Sequence, residues 1–294
     1  MHRQATEWLG ALKDAASRWN EDRNATQAAA LAFYSAFSLA PTLVIVIAVA
    51  GAVFGREAAE GRLYAEIASL MGRDGASIIQ TMVANAWKAD STGSVALASM
   101  GAIIVGASAT FAQLRAALNQ VWNIRPPDTP LLADLLALLK TRLLSFGLVM
   151  GMGFLLLVLL VMDAALGFAL DLVWGEREKS YWLLNLLRTV VALALMSLAF
   201  AALIRELPDG QPRWRDVLRG ALVAALMFSF GKHLFGLYLA RAGTADTFGA
   251  AGSLAVILMW LYFSAAVFLF GAQVAAALGR AEQSGEASPL DTTH

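Results

Sequence analysis

The chain has 294 residues, 59% of them hydrophobic and only 15% charged, with 22 Lys+Arg against 22 Asp+Glu and no cysteine. Soluble domains carry about 25% charged residues, so this balance argues against an ordinary soluble domain and for a membrane protein. The even charge leaves no basic excess to hold nucleic acid, and the missing cysteines exclude disulfides, thiolate metal sites and cysteine nucleophiles.

Residues 1–27 are charged and lack the apolar core of a signal peptide, so no cleaved signal is expected. Within them Trp8, Leu12, Ala15 and Trp19 recur at helical spacing opposite Lys13, Asp14 and Arg18, which predicts a helix lying on the membrane surface. Residues 28–278 form the membrane domain. Its six apolar segments, near 28–54, 95–111, 143–170, 186–204, 217–239 and 252–278, suit a hydrocarbon core of roughly 30 Å, which takes about 20 helical residues to cross. Helices are expected because each satisfies its own backbone in lipid, and no alternation of the barrel type is present. Residues 55–92 read as a short hairpin of two amphipathic helices. Leu63, Ile67, Leu70 and Met71 line the first, Ile78, Ile79, Met82, Val83 and Ala86 the second, and Gly72 and Gly75 separate them. Beyond the second span Phe111, Leu114, Leu118 and Val121 prolong one apolar helical face, and RPPDTP at 125–130 is expected to end it. Residues 279–294 are polar and predicted to be a disordered tail.

Lysine and arginine give the orientation. Residues 1–27, 112–142, 205–219 and the tail hold thirteen, and the opposite flanks hold eight, with Lys232 inside a span. Both termini are therefore predicted to be cytoplasmic.

His2, His233 and His294 are isolated, so no histidine ligand cluster exists and neither a metal nor a cofactor is expected. No GxxxxGK[ST] loop is present for ATP. Ionisable groups in lipid are more informative, because each costs at least about 2.5 kcal/mol at mid-depth. Lys232, beside His233 in the fifth span, and Asp163 in the third lie at similar depth. Two readings stand: the pair meets inside the bundle or lines a polar cavity, or each sits at the interface and snorkels. The first span carries FYSAFSLAP at 33–41. Pro41 has no amide hydrogen and leaves the Phe37 carbonyl without its helical partner. Ser35, Ser38 and Thr42 share one face that is expected to point into the bundle, with Tyr34 beside them. A packing kink and a binding path both account for the set. Small residues at 147–151 and at Gly271 and Ala275 allow close helix approach. Trp260, Tyr262 and Phe263 lie deeper than an aromatic belt, as core packing or as the lining for an amphipathic substrate.

Four stretches together resemble the YihY/BrkB family of bacterial inner-membrane proteins, once labelled ribonuclease BN: AAALAFYSAFSLAPTLV (28–44), ATFAQLRAALNQVWNI (109–124), ELPDGQPRWRDVLRGALVAAL (206–226) and GAAGSLAVILMWLYFSAAVFLFGAQVAAAL (249–278). The resemblance covers about residues 10–280. The family pattern carries over to Ser38 and Pro41, to Asn119 and Trp122, to Pro208, Trp214 and Gly220, and to Trp260, Tyr262 and Gly271. Phe248 stands where the family usually has tyrosine. Gln273 stands where it commonly has glutamate, which makes Gln273 a polar lining candidate rather than a titrating carboxylate.

The resemblance implies six transmembrane helices with cytoplasmic termini in the inner membrane, and an association with the cell envelope and virulence. The expected fold is all-α: a polytopic bundle of six transmembrane helices with an N-terminal interfacial helix and a short periplasmic helical hairpin. The expected function is a transporter or flippase-like protein for a lipidic or amphipathic envelope substrate, without its own ATPase. The alternative is a non-transporting scaffold in envelope maintenance. An enzyme is not expected, since no nucleophile–base or metal set supports the old ribonuclease label. Membrane lipids, a second copy or envelope proteins are the expected partners, and nucleic acid is not.

Overall fold

The computed structural model describes residues 2–88, 109–125, 180–210, 212–242 and 244–286, and helix is the only regular structure among them. The runs are α1 (His2–Glu21), α2 (Asn24–Phe54), α3 (Arg56–Lys88), α4 (residues 109–121), α5 (Ser180–Glu206), α6 (Trp214–Ala242) and α7 (Thr244–Glu286). Among the described residues, Thr189–Glu206, Trp214–Tyr238 and Leu254–Gln283 are long and apolar enough to cross a membrane. Residues 28–54 of α2 carry no charge at all. The expected third span, and all but the end of the second, lie outside the described residues, as does Asp163.

The 43 residues of α7 make a rod about 64 Å long at 1.5 Å per residue, twice the hydrocarbon thickness. Its middle joins a core built largely of alanine: Ala28 and Leu31 of α2, Leu118 and Val121 of α4, Ile204 of α5, Ala221 of α6 and Ala272 and Ala275 of α7. Small side chains let the α6 and α7 backbones nearly touch. A Cβ on Gly271 would lie 2.5 Å from Ala224 Cβ and 2.8 Å from the Gly220 carbonyl oxygen. A second core at the other end joins Leu43 and Ile47 of α2 to Ile67 and Ile79 of α3, Phe235 of α6 and Ile257 and Trp260 of α7. Phe33, Phe37, Leu198, Leu222, Leu226, Phe230 and Leu237 are exposed, an outward apolar surface that suits lipid.

Three local expectations change. The apolar stripe of α1 lies against protein: Ala11 and Ala15 are buried on Val274, Ala277 and Leu278 of α7, with Trp8 and Leu12 beside them. To an apolar stripe, a protein face and a lipid surface are equivalent partners, so periodicity does not choose between them. The two helices expected over 61–88 are one hydrogen-bonded run through Gly72 and Gly75. A straight helix would hold Glu60 and Ala84 about 36 Å apart. Both line one cleft, so the run doubles back on itself between them. Finally, α4 ends before its prolines. Asn123 takes a left-handed φ of 52°, and the Ile124 amide donates back to the Asn119 carbonyl at 2.8 Å, a termination that asparagine tolerates well.

Candidate functional site

The end of the bundle where α1, α4, α6 and the tail of α7 meet is rich in polar contacts between segments far apart in sequence. Asn119, on the last turn of α4, is buried and grips the α5–α6 loop in both directions. Its Oδ1 accepts from the Asp209 amide at 2.9 Å, and its Nδ2 donates to the Asp209 carboxylate at 2.7 Å. Arg115, one turn earlier, pairs with the same carboxylate. Pro208 and Pro212 on either side are buried. The loop lies so close to α4 that a Cβ on Gly210 would fall 2.6 Å from Ile124 Cδ1. Across the loop the Arg205 guanidinium sits 4.2 Å over the Trp214 ring.

A glutamine relay ties α2 to α4. Gln113 donates to Gln27 at 2.5 Å, and Gln27 donates to Gln120 at 2.6 Å. The offset of seven from Gln113 to Gln120 puts both on one face of α4.

The tail of α7 is held from two sides. Arg280 donates to Asp14 of α1 at 2.8 Å, and Arg18 donates to the other oxygen of that carboxylate at 3.1 Å. Burial pushes the Asp14 carboxyl up, but the hydrogen bonds and charges of Arg280 and Arg18 outweigh it and hold the group below its ordinary 3.8. Arg219 of α6 and Arg213, just before that helix, reach Glu282 at 3.3 and 3.4 Å. Asp216, almost wholly buried, lies 3.7 Å from Arg219. A Cβ on Gly279 would make ordinary contact with Asp216 Oδ2 at 3.6 Å and the Trp122 ring at 3.8 Å. Fully buried Gln273 donates through Nε2 to Asp22, at the turn between α1 and α2. Nearby Asn24 is 1% exposed and makes no side-chain hydrogen bond to protein.

The other candidates fall into separate places. Ser38 is buried, donates to the Ser35 carbonyl at 3.1 Å and accepts from Thr110 of α4 at 3.2 Å. α2 runs unbroken through Pro41 and Thr42, whose side chains lie outside the description. Tyr34 is exposed beside Phe33, with ring centroids 5.9 Å apart. Lys232 is half-buried, and exposed His233 places Nδ1 2.8 Å from the Ser229 carbonyl. Trp260 is buried among Phe235, Phe228 and Phe263 at centroid distances of 5.0, 5.4 and 5.8 Å, whereas Tyr262 faces outward.

Asn119, Trp122, Pro208, Trp214, Gly220 and Gly271 thus gather at or near the polar end. The residues of this end that sequence reasoning missed are Asp22, Gln27, Gln113, Arg115, Asp209 and Glu282. The spacing of Gln113 and Gln120 was a usable signal, and the others left none. Among the described residues no group of three or more His, Cys, Asp or Glu is placed to hold a metal ion.

At the opposite end, α2 and α3 enclose a partly open cleft of about 130 Å³, floored by apolar residues and bordered by Arg56 and Glu60.

A family model described as virulence factor BrkB matches residues 15–292. A UPF0761 membrane protein of Methylibium petroleiphilum is 28% identical over 279 residues, covering 93% of this chain and 63% of its own length. One from Ralstonia nicotianae is 30% identical over 266 residues, with 89% and 57% covered. One from Rhodospirillum centenum is 27% identical over 279 residues, with 92% and 57% covered. The chain therefore spans about three fifths of the length of these relatives. No solved structure matches it. With the family model matched over nearly its whole length and membrane proteins as its relatives, the chain belongs to the virulence factor BrkB family.

Proposed function

We propose that the chain crosses a bacterial inner membrane six times with both termini cytoplasmic, the 55–92 segment forming a short periplasmic hairpin. In this arrangement it moves or shelters a lipidic or otherwise amphipathic envelope substrate, without an ATPase of its own. Membrane lipids are its immediate partners. The excess of lysine and arginine beside the polar end supports the orientation.

The functional reading rests on the unlike ends of the bundle. At the polar end, clamps between α1, α2, α4, α6 and α7 fasten the helices. At the other, α2 and α3 leave a partly open cleft with an apolar floor and a charged rim. Apolar pockets with a few polar groups at the edge suit amphipathic ligands. Lys232 stands about 27 Å along α6 from Trp214, in the cleft-side half, where in this reading it pairs with Asp163.

The scaffold alternative, with partners bound through the termini and the 61–88 segment, has less support at the N-terminus, where the apolar face of α1 is occupied by α7. Purified protein in lipid vesicles tests the proposal through scrambling of labelled lipid and uptake of amphipathic probes. Inactivity in both assays, with unchanged envelope composition in a strain lacking the protein, would sink it.

A further inference from the structure

The cleft between α2 and α3 has a definite chemistry. Ile47, Ile67, Ile79 and Val83 on its walls are buried, between 2% and 9% exposed. At its rim Arg56 Nε and Glu60 Oε1 are 2.6 Å apart, with 55% and 40% of their side chains exposed. We propose that this cleft seats one acyl chain of a zwitterionic phospholipid from the surrounding bilayer, with its phosphate on Arg56 and its ammonium group on Glu60. The proposal deepens the reading of a bundle that handles amphipathic molecules and rests on it.

Size fits part of a chain. An apolar cavity of about 150 Å³ accepts benzene, so this cleft takes about six carbons and its open side lets the rest run out along the protein. Depth fits a headgroup. Arg56 is the first charged residue after the charge-free stretch 28–55, where a spanning α2 reaches the water boundary.

The tail alone gives little preference, since lipid chains are as apolar as the cleft they would enter. Selection therefore falls to the rim. An exposed ion pair one helical turn apart is weakly held, so a headgroup can compete with Glu60 for the exposed side of the Arg56 guanidinium and with Arg56 for the Glu60 carboxylate. Guanidinium and phosphate form strong charge-assisted hydrogen bonds. An anionic headgroup brings the phosphate to Arg56 but nothing to neutralise Glu60, which disfavours it. One cation and one anion at this spacing read as a complement to a zwitterion.

The test uses the full chain in mild detergent, given equal amounts of phosphatidylethanolamine, phosphatidylcholine and phosphatidylglycerol with identical acyl chains. Lipid retained after washing is measured by mass spectrometry. The two zwitterionic lipids should exceed phosphatidylglycerol by about fivefold or more, a preference that corresponds to ordinary weak discrimination. Ala84→Phe, at an exposed position on the cleft wall, should remove most retained lipid, and Gln80→Phe serves the same purpose if that variant does not fold. The double variant Arg56→Ala, Glu60→Ala should lose the headgroup preference. Equal retention of phosphatidylglycerol, or retention indifferent to these variants, overturns the site. Vesicle scrambling keeps the two ideas apart. Retention that obeys the headgroup rule without scrambling leaves the site standing and removes transport. Scrambling that ignores the cleft variants leaves transport standing and removes the site.

Discussion

Replacing Gly220 by alanine tests the crossing of α6 and α7 near the polar end of the bundle. The new Cβ falls against the Gly271 carbonyl oxygen, 2.6 Å from Ala275 Cβ and 2.8 Å from Ala275 N. Carbon atoms rest at about 3.5–4.0 Å, so the two helices must part by about 1 Å. None of the blocking atoms belongs to a flexible side chain, so no rotamer change relieves the clash. Overpacking of this kind costs about 1–3 kcal/mol, while alanine in a helix regains about 1 kcal/mol over glycine. Gly236 on the same helix supplies the control, because a Cβ there meets nothing within 4 Å. The propensity gain is common to Gly220→Ala and Gly236→Ala and cancels between them. Gly220→Ala should therefore be the less stable of the two by about 1–3 kcal/mol, the clash alone. Unfolding of both variants in one detergent measures the difference. Equal stability, or a more stable Gly220→Ala, would refute the close crossing.

Asn119→Leu strips the Asp209 amide and carboxylate of a shared partner and should cost about 1–3 kcal/mol; proteolysis should then cut the loop at 207–213 faster, and an unchanged rate contradicts the clamp. Gln273→Glu is nearly isosteric but sets a second carboxylate against Asp22, so at neutral pH it should destabilise more than Gln273→Leu, which removes only the donor. Thermal unfolding of the two variants compares them, and the reverse order rejects the contact. Asp14 is held below 3.8 in the folded chain, so its contribution is present above that value and is lost as pH falls through the lowered one. Hydrogen exchange in α1 should quicken in that acid range, by a modest amount because the ion pairs are partly exposed. Asp14→Asn should show faster exchange already at neutral pH and no acid step of its own.

What could be read ahead of the fold had a local cause. Ser35, Ser38 and Thr42 share a helical face by spacing alone, and of these the structure buries Ser38 against Thr110. Gly271 and Ala275 are four residues apart and mark a close approach whichever helix answers it; α6 answers with Gly220 and Ala224. The end of α4 was misjudged because two stop signals lie within a few residues, and the left-handed Asn123 acts before the prolines are reached. At 61–88 the glycines Gly72 and Gly75 were read as separating two helices, whereas the helical span is continuous across them.

By itself the sequence determined that this chain is helical and belongs in a membrane, because hydrophobic length and backbone self-satisfaction are properties of each segment alone. Partnership is a property of two segments. Asn119 meets Asp209 across 90 residues, Gln27 meets Gln113 across 86, and Gln273 meets Asp22 across 251. No spacing within one helix encodes such meetings. The tertiary structure alone decided that the apolar stripe of α1 rests on α7, and that the polar residues gather at one end while an apolar cleft forms at the other. The physical reason is that a helix presents the same face to lipid, to a neighbour or to a ligand until packing has chosen among them.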